Sequence, residues 1–205
     1  MKIGIMGGTF NPIHTAHLIL AESSYEQFRL DKVLFMPSKN PPHKRNEQIV
    51  GEEHRLRMVQ LAIRNNPHFE LSTLEIEREG LTYTAETLRL LKRESPDNEY
   101  YFIMGADSLF YLDQWKDPDT IFRLSHIIAA GRDRIPADKI GGQIRYLTGK
   151  FHGNIHFLQV PNMDISSNLL RQYREEGKSI RYYVPDAVEE YITENRLYEE
   201  RDNAT

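Results

Sequence analysis

"GIMGGTFNPIHTAHLIL" (4–20) decides how the chain is read: an apolar run breaks at Gly7 and Gly8, and an amphipathic run resumes near Thr15, with His14 and His17 three residues apart. The preceding "KIGIM" (2–6) has the composition of a buried strand, and the run from Thr15 has helical period, so "GGTFNPIH" is a β–α loop. In a sheet of nucleotide-binding type that loop is a phosphate position. Backbone N–H groups of a glycine turn and the positive end of the following helix both favour an anion, and glycine admits the ligand without a Cβ clash. The two histidines then stand beside the anion. Two other phosphate patterns are missing: the loop does not spell G-x-G-x-x-G, and no G-x-x-x-x-G-K-[ST] occurs. Neither a dinucleotide dehydrogenase nor a P-loop NTPase is indicated.

Outward from this loop the same alternation continues. Strands are expected at 2–6, 32–36, 69–77, 99–104, 126–130 and 155–160, and helices at 15–28, 52–65, 84–94 and 117–124. Strand–helix alternation predicts an α/β fold, a Rossmann-like doubly wound parallel sheet with helices on both faces and ligands at the carboxyl ends of the strands. Two stretches read as irregular: 37–51, too polar and proline-rich for an element, and 131–153, with one short helix at most. At 205 residues the chain fits one domain, with 1–198 as ordered core and 199–205 as a frayed tail. A net charge of -4 argues against broad capture of nucleic acid or anionic lipid. The chain has no cysteine, which excludes disulfides and thiol nucleophiles and suits a reducing cytoplasm. No run is long enough for a membrane span. The oligomeric state is not legible.

The plain reading of His14 and His17 is a pair of helix-start residues making local hydrogen bonds; their place in the loop favours phosphate contact instead. Zinc is disfavoured, because two histidines lack further ligands at a matching spacing, so no protein metal site is expected. "ISSNLLRQYREEG" (165–177) reads alone as a helix with a serine N-cap and an exposed arginine. Joined to the first loop, the cap and Arg171 form a second anion wall.

At this point the chain resembles a known family. "GGTFNPIHTAH" (7–17) is similar to the H-x-G-H motif of nucleotidyltransferases, most closely that of the bacterial nicotinate-nucleotide adenylyltransferases, and "ISSNLLR" (165–171) is similar to their ISST-x-I-R motif. The likeness extends through "PPHK" (41–44), "YTAET" (83–87), "GAD" (105–107), "DQW" (113–115) and "VPDAVEEYITENRLY" (184–198). Four departures stand out: Asn11 where aspartate is common, Ala16 for glycine, Asn168 for threonine and Glu86 for aspartate. They are expected to bear on rate rather than on the reaction.

The resemblance implies direct adenylyl transfer from ATP to nicotinate mononucleotide, giving nicotinate adenine dinucleotide and pyrophosphate, with Mg²⁺ entering on the nucleotide. Such chemistry needs alignment and cations more than a protein nucleophile. By the resemblance, His14, His17, Lys44 and Arg171 are the catalytic group. ATP is met by Gly7, Gly8, Thr9, Phe10, His17, Gly105, Asp107, Arg132, Ile165, Ser166, Ser167 and Arg171, with Asp107 on the ribose hydroxyls and Arg132 on the adenine side. Nicotinate mononucleotide is met by Thr9, Lys44, Tyr83, Thr84 and Trp115, the chain's single tryptophan stacking on the pyridine ring. A sister nucleotidyltransferase acting on another phosphate, such as phosphopantetheine, and a non-catalytic nucleotide-binding module are the competing readings.

Overall fold

The structure is a computed structural model and describes residues 1–39, 49–131, 136–161 and 163–199. Its strands are β1 (Lys2–Gly8), β2 (Lys32–Pro37), β3 (Phe69–Leu71), β4 (Glu99–Gly105), β5 (His126–Gly131) and β6 (Ile155–Gln159). All pair in parallel, in the order β3-β2-β1-β4-β5-β6. Because β1 pairs with β2 on one side and β4 on the other, the winding reverses there. In a doubly wound sheet that reversal opens a crevice at the carboxyl ends of the strands. It lies here beside Gly7, Gly8 and Gly105.

Both faces of the sheet are covered, so the strands read as continuous apolar runs rather than as alternation. On one face, Met6, Val33, Phe35 and Ile128 pack with α1 (Thr15–Phe28), α2 (Glu52–Ile63), α7 (Ser167–Glu175) and α8 (Asp186–Glu194). On the other, Ile5, Phe102, Met104 and Ile127 pack with α3 (Thr84–Glu94), the short α4 (Ala106–Leu109), α5 (Pro118–Leu124) and α6 (Ala137–Phe151). The doubly wound parallel sheet expected from the sequence is the fold observed.

Two expected elements differ. The run 69–77 forms a strand only over Phe69–Leu71. The ladder with β2 ends when the Ser72 N–H reaches the Phe35 carbonyl at 2.9 Å, and Glu77 N–H then folds back onto the Thr73 carbonyl at 3.0 Å. Leu74 is partly buried from this turn, against the α3 and α5 side of the sheet. An alternating pattern thus served a folded connection. The region 131–153 holds the 15-residue helix α6, not one short helix at most. Gly141, Gly142 and Gly149 hide it, each costing about 1 kcal/mol of helix propensity. Ile140, Ile144, Leu147 and Phe151, spaced as one helical face and packed into the core, outweigh that cost.

Candidate functional site

The loop after β1 begins at Gly8, where a Cβ would come within 3.1 Å of the Phe10 ring. Phe10 itself adopts a left-handed φ of 50° and is buried against Phe35, 6.0 Å between centroids. Its buried ring fixes a backbone turn that L-residues otherwise avoid.

Beyond it the loop carbonyls are taken up by the protein one after another. Gly8 O accepts from Ser38 N at 2.9 Å, and Thr9 O from Arg55 Nη1 at 2.9 Å. Asn11 O accepts from Arg171 Nη1 at 2.8 Å, and Pro12 O from Ser167 Oγ at 2.9 Å. Withdrawing carbonyl oxygens from the loop's open side removes the groups that would repel a phosphate.

His14 is the N-cap of α1 and His17 its third residue. Their rings stack at 3.7 Å between centroids, and His17 Nδ1 accepts from the His14 N–H at 3.2 Å. Phe10 meets His17 edge-on at 5.1 Å. Two of the first N–H groups of α1 are engaged within the protein: Thr15 on the Tyr183 carbonyl at 2.8 Å and His17 on the His14 carbonyl at 2.9 Å. The first turn of α1 is thus tied into the protein at Thr15 and His17.

The second wall is α7. Ser166 is its N-cap, accepting from Leu169 N at 3.2 Å, and Ile165 lies just before it. Ser167 and Arg171 both reach across to the first loop, so the two anion motifs, 160 residues apart at Asn11 and Arg171, are bonded to one another. The departures gain explanations here. Asn168 Oδ1 accepts from Arg171 Nη2 and so braces the guanidinium. Asn11 Oδ1 accepts from Tyr198 Oη at 2.9 Å and from Val50 N at 3.3 Å. Glu86 pairs with Arg78 at 2.6 Å, and Ala16 is buried in the first turn of α1.

On the opposite face of β1 lies a cavity of about 490 Å³. Gly7, Gly8 and Thr9 line it on the sheet side, Tyr83, Thr84, Thr87 and Glu75 on the α3 side, and Trp115 with Lys116 and Asp117 on the α5 side. Trp115 is only partly buried and meets Phe102 edge-on at 6.0 Å, so its ring is a cavity wall rather than interior filling. Tyr83 is the N-cap of α3 and Thr84 its first residue. At the end of β4, Gly105 caps α4 and Asp107 is exposed at its second position. Lys44, most of the 37–51 loop and Arg132 lie outside the described residues, as do 200–205 of the tail.

Residues 5–173 match the family pattern described as cytidylyltransferase-like. A protein of Lachnoclostridium phytofermentans named "Probable nicotinate-nucleotide adenylyltransferase" is 49% identical over 197 residues, covering 96% of this chain and 98% of that one. A Moorella thermoacetica protein of the same name is 42% identical, covering 98% and 93%. The chain belongs to the cytidylyltransferase-like family, on its nicotinate-nucleotide adenylyltransferase branch. The fold of this family member is similar to that of the Plasmodium falciparum nicotinic acid mononucleotide adenylyltransferase complexed with NaAD, at TM-score 0.79, 19% identity and coverage of 96% and 97%. No described helix is long and apolar enough to cross a membrane, and no group of three or more His, Asp or Glu among the described residues is placed to hold a metal.

Three residues of this candidate site escaped the sequence reading. Arg55 is 1% exposed and bonds Thr9 O and Ser38 O, the latter at 2.7 Å. Burial lowers its pKa from the ordinary guanidinium value, while Glu52 and Tyr198 oppose the fall. Its signal was present: Arg55, Met58 and Val59 share one helical face, where an arginine is out of place. Tyr198, from the closing segment, has its phenol pushed up by burial against the opposing charges of Arg171 and Arg55. Glu75 faces the cavity, and burial raises its carboxyl against Thr87 and Arg78.

Proposed function

We propose that this protein transfers the adenylyl group of ATP to nicotinate mononucleotide, releasing pyrophosphate and forming nicotinate adenine dinucleotide. One observation carries the reading: the phosphate loop and the Trp115 cavity share Gly7, Gly8 and Thr9, so an acceptor seated in the cavity presents its phosphate to the loop that holds the donor's. The names of relatives at 40–49% identity agree with it.

A phosphate oxygen of nicotinate mononucleotide attacks the α-phosphorus of ATP in line. The new P–O bond forms as the bond to the bridging α–β oxygen breaks, and that oxygen leaves with pyrophosphate. No bond to the enzyme forms, so the protein's work is alignment and charge stabilisation. His14 and His17 donate to the triphosphate, with amides of Gly8, Thr9 and Phe10. Arg171 and Lys44 bring cationic donors to the leaving phosphates, and Ser166 and Ser167 close the second wall with Ile165. Asp107 and Gly105 receive the ribose, and adenine is assigned to Arg132. Trp115 and Tyr83 hold the pyridine ring, and Thr84 with the first amides of α3 receives its carboxylate, where the helix dipole favours an anion. The loop's donors, N–H groups and imidazoles, suit phosphate oxygens rather than Mg²⁺, so the ion would be held by the nucleotide and water and would supply neutralisation of phosphate charge. Residues 1–198 act as one catalytic unit in the cytoplasm.

The test is incubation with MgATP and single acceptors: nicotinate mononucleotide, nicotinamide mononucleotide and phosphopantetheine. Pyrophosphate release with the first, at a kcat/KM well above the others, is expected. Turnover with phosphopantetheine alone would assign the site to a sister transferase, and nucleotide binding without any turnover would leave a binding module.

A further inference from the structure

The wall between Glu75 and α3 holds a chain of polar contacts that adenylyl transfer does not use. Thr87 Oγ1 donates to Glu75 Oε1 at 2.7 Å and accepts from Arg78 Nη1 at 3.1 Å, while Arg78 Nη2 pairs with Glu86 at 2.6 Å. Glu75 and Thr87 both line the cavity. Thr84 lies three residues before Thr87 on α3. Glu75 and Thr84 thus line one cavity, with Thr84 about one helical turn from Glu75's partner Thr87.

Where two carboxylates meet in one shielded cavity, both do not stay ionised and one keeps a proton. Glu75 is the partner suited to keep it, because burial already disfavours its charged form. We propose that Glu75 is a specificity-determining residue of the pyridine cavity, taking up a proton when a nicotinate carboxylate enters and so tying the preference for acid over amide to pH. This rests on the reading of the cavity as the pyridine-nucleotide site. The step balances: one proton moves from solvent to Glu75, and only an O–H bond forms. The protonated carboxyl then donates a hydrogen bond that a carboxylate accepts well.

The surrounding charges leave this role to Glu75. Among the described residues lining the cavity, the other ionisable groups are Tyr83, Lys116 and Asp117. Asp117 is paired with Arg89, Lys116 is exposed, and Tyr83 is the N-cap of α3. From the Glu75 segment, Arg78 opposes protonation but shares its guanidinium with Glu86 and Thr87, and Glu77 is exposed beside Thr73.

Calorimetric titration of the wild type and Glu75→Gln with nicotinate mononucleotide, in buffers of differing ionisation enthalpy at pH 7.5, reads proton uptake directly. The substrate's own phosphate, with a second pKa of about 6, contributes equally to both proteins. The wild type is expected to take up a fraction of a proton more than the variant. It also reports without a variant: its ratio of kcat/KM for nicotinate over nicotinamide mononucleotide should fall by up to about tenfold per pH unit above the Glu75 ionisation. Glu75→Gln, a neutral isostere, should hold that ratio flat and use the nicotinate substrate better than the wild type above pH 8. Equal proton uptake, or parallel pH profiles of the ratio, overturns this inference alone. Failure of the wild type to bind nicotinate mononucleotide overturns the assignment of the cavity, and this inference with it.

Discussion

Arg55 offers the sharpest test of how the phosphate loop is held. It is buried on α2, and its guanidinium reaches Thr9 O at 2.9 Å and Ser38 O at 2.7 Å, tying the loop to the end of β2. Arg55→Met keeps the apolar stem and removes both donors. Hydrogen bonds from a charged group are worth about 1.5–3 kcal/mol each, and here the loss leaves two shielded carbonyls short of a donor. Part of that is returned, because the buried guanidinium no longer has to be desolvated, the same cost that lowers its pKa. The net loss of stability is expected at about 2–4 kcal/mol. The kinetic effect is separate: a released Thr9 carbonyl can turn toward the phosphates, and a shift of ~1 Å in such a group costs about 10²-fold in rate. Urea unfolding followed by Trp115 fluorescence gives the first quantity, and pyrophosphate release at saturating substrates gives the second. Arg55→Lys, which keeps the charge but presents a single ammonium in place of the fork, should fall between the two. An Arg55→Met protein with a stability loss under about 1 kcal/mol and normal kcat would refute the reasoning.

His17→Ala should lower kcat by about 10²–10³ while changing ATP affinity little, since a donor aimed at developing charge acts in the transition state; His14→Ala should do the same, and normal turnover in both would remove the imidazoles from the mechanism. Arg171→Lys should impair kcat despite the retained charge, because a point cation cannot span Asn11 O, Asn168 Oδ1 and a phosphate together, and unchanged kinetics would count against that placement. Tyr198→Phe removes one neutral hydrogen bond to Asn11, costing about 1 kcal/mol at neutral pH. Its pH dependence has a definite sign. The folded-state phenol pKa lies above the unfolded value of about 10, so the stabilisation is full below pH 10 and is lost as pH rises above it. Wild type and Tyr198→Phe, melted across pH 8–11, should therefore converge toward the alkaline end, and a constant difference would show that the phenol stays out of the linkage.

The sequence by itself determined the class of fold and marked the two segments that the structure bonds together. Buried parallel strands need continuous apolar runs, and a phosphate loop needs glycine at a strand end, so "KIGIMGGTF" carries both in adjacent residues. The pairing of Trp115 with Tyr83 and Thr84 was likewise legible, through family likeness, and one cavity joins them. What tertiary structure decided is everything that depends on a partner distant in the chain. Alternation over 69–77 suits a strand, yet a strand needs a neighbour's ladder, and β2 offers one only as far as Leu71. The glycines of α6 argue against a helix until burial of Ile140 and Leu147 outweighs them. The helical face shared with Met58 and Val59 marks Arg55 as out of place, but what it binds is not legible, because its acceptors are backbone carbonyls, which every residue carries and no sequence pattern marks. The same holds for Arg171 and Tyr198, which meet the first loop only because the sheet order brings α7 and the closing segment back beside β1. Hydrophobic period is a local property that sequence displays, whereas the burial of a charge and the direction of a hydrogen bond are properties of the assembled chain.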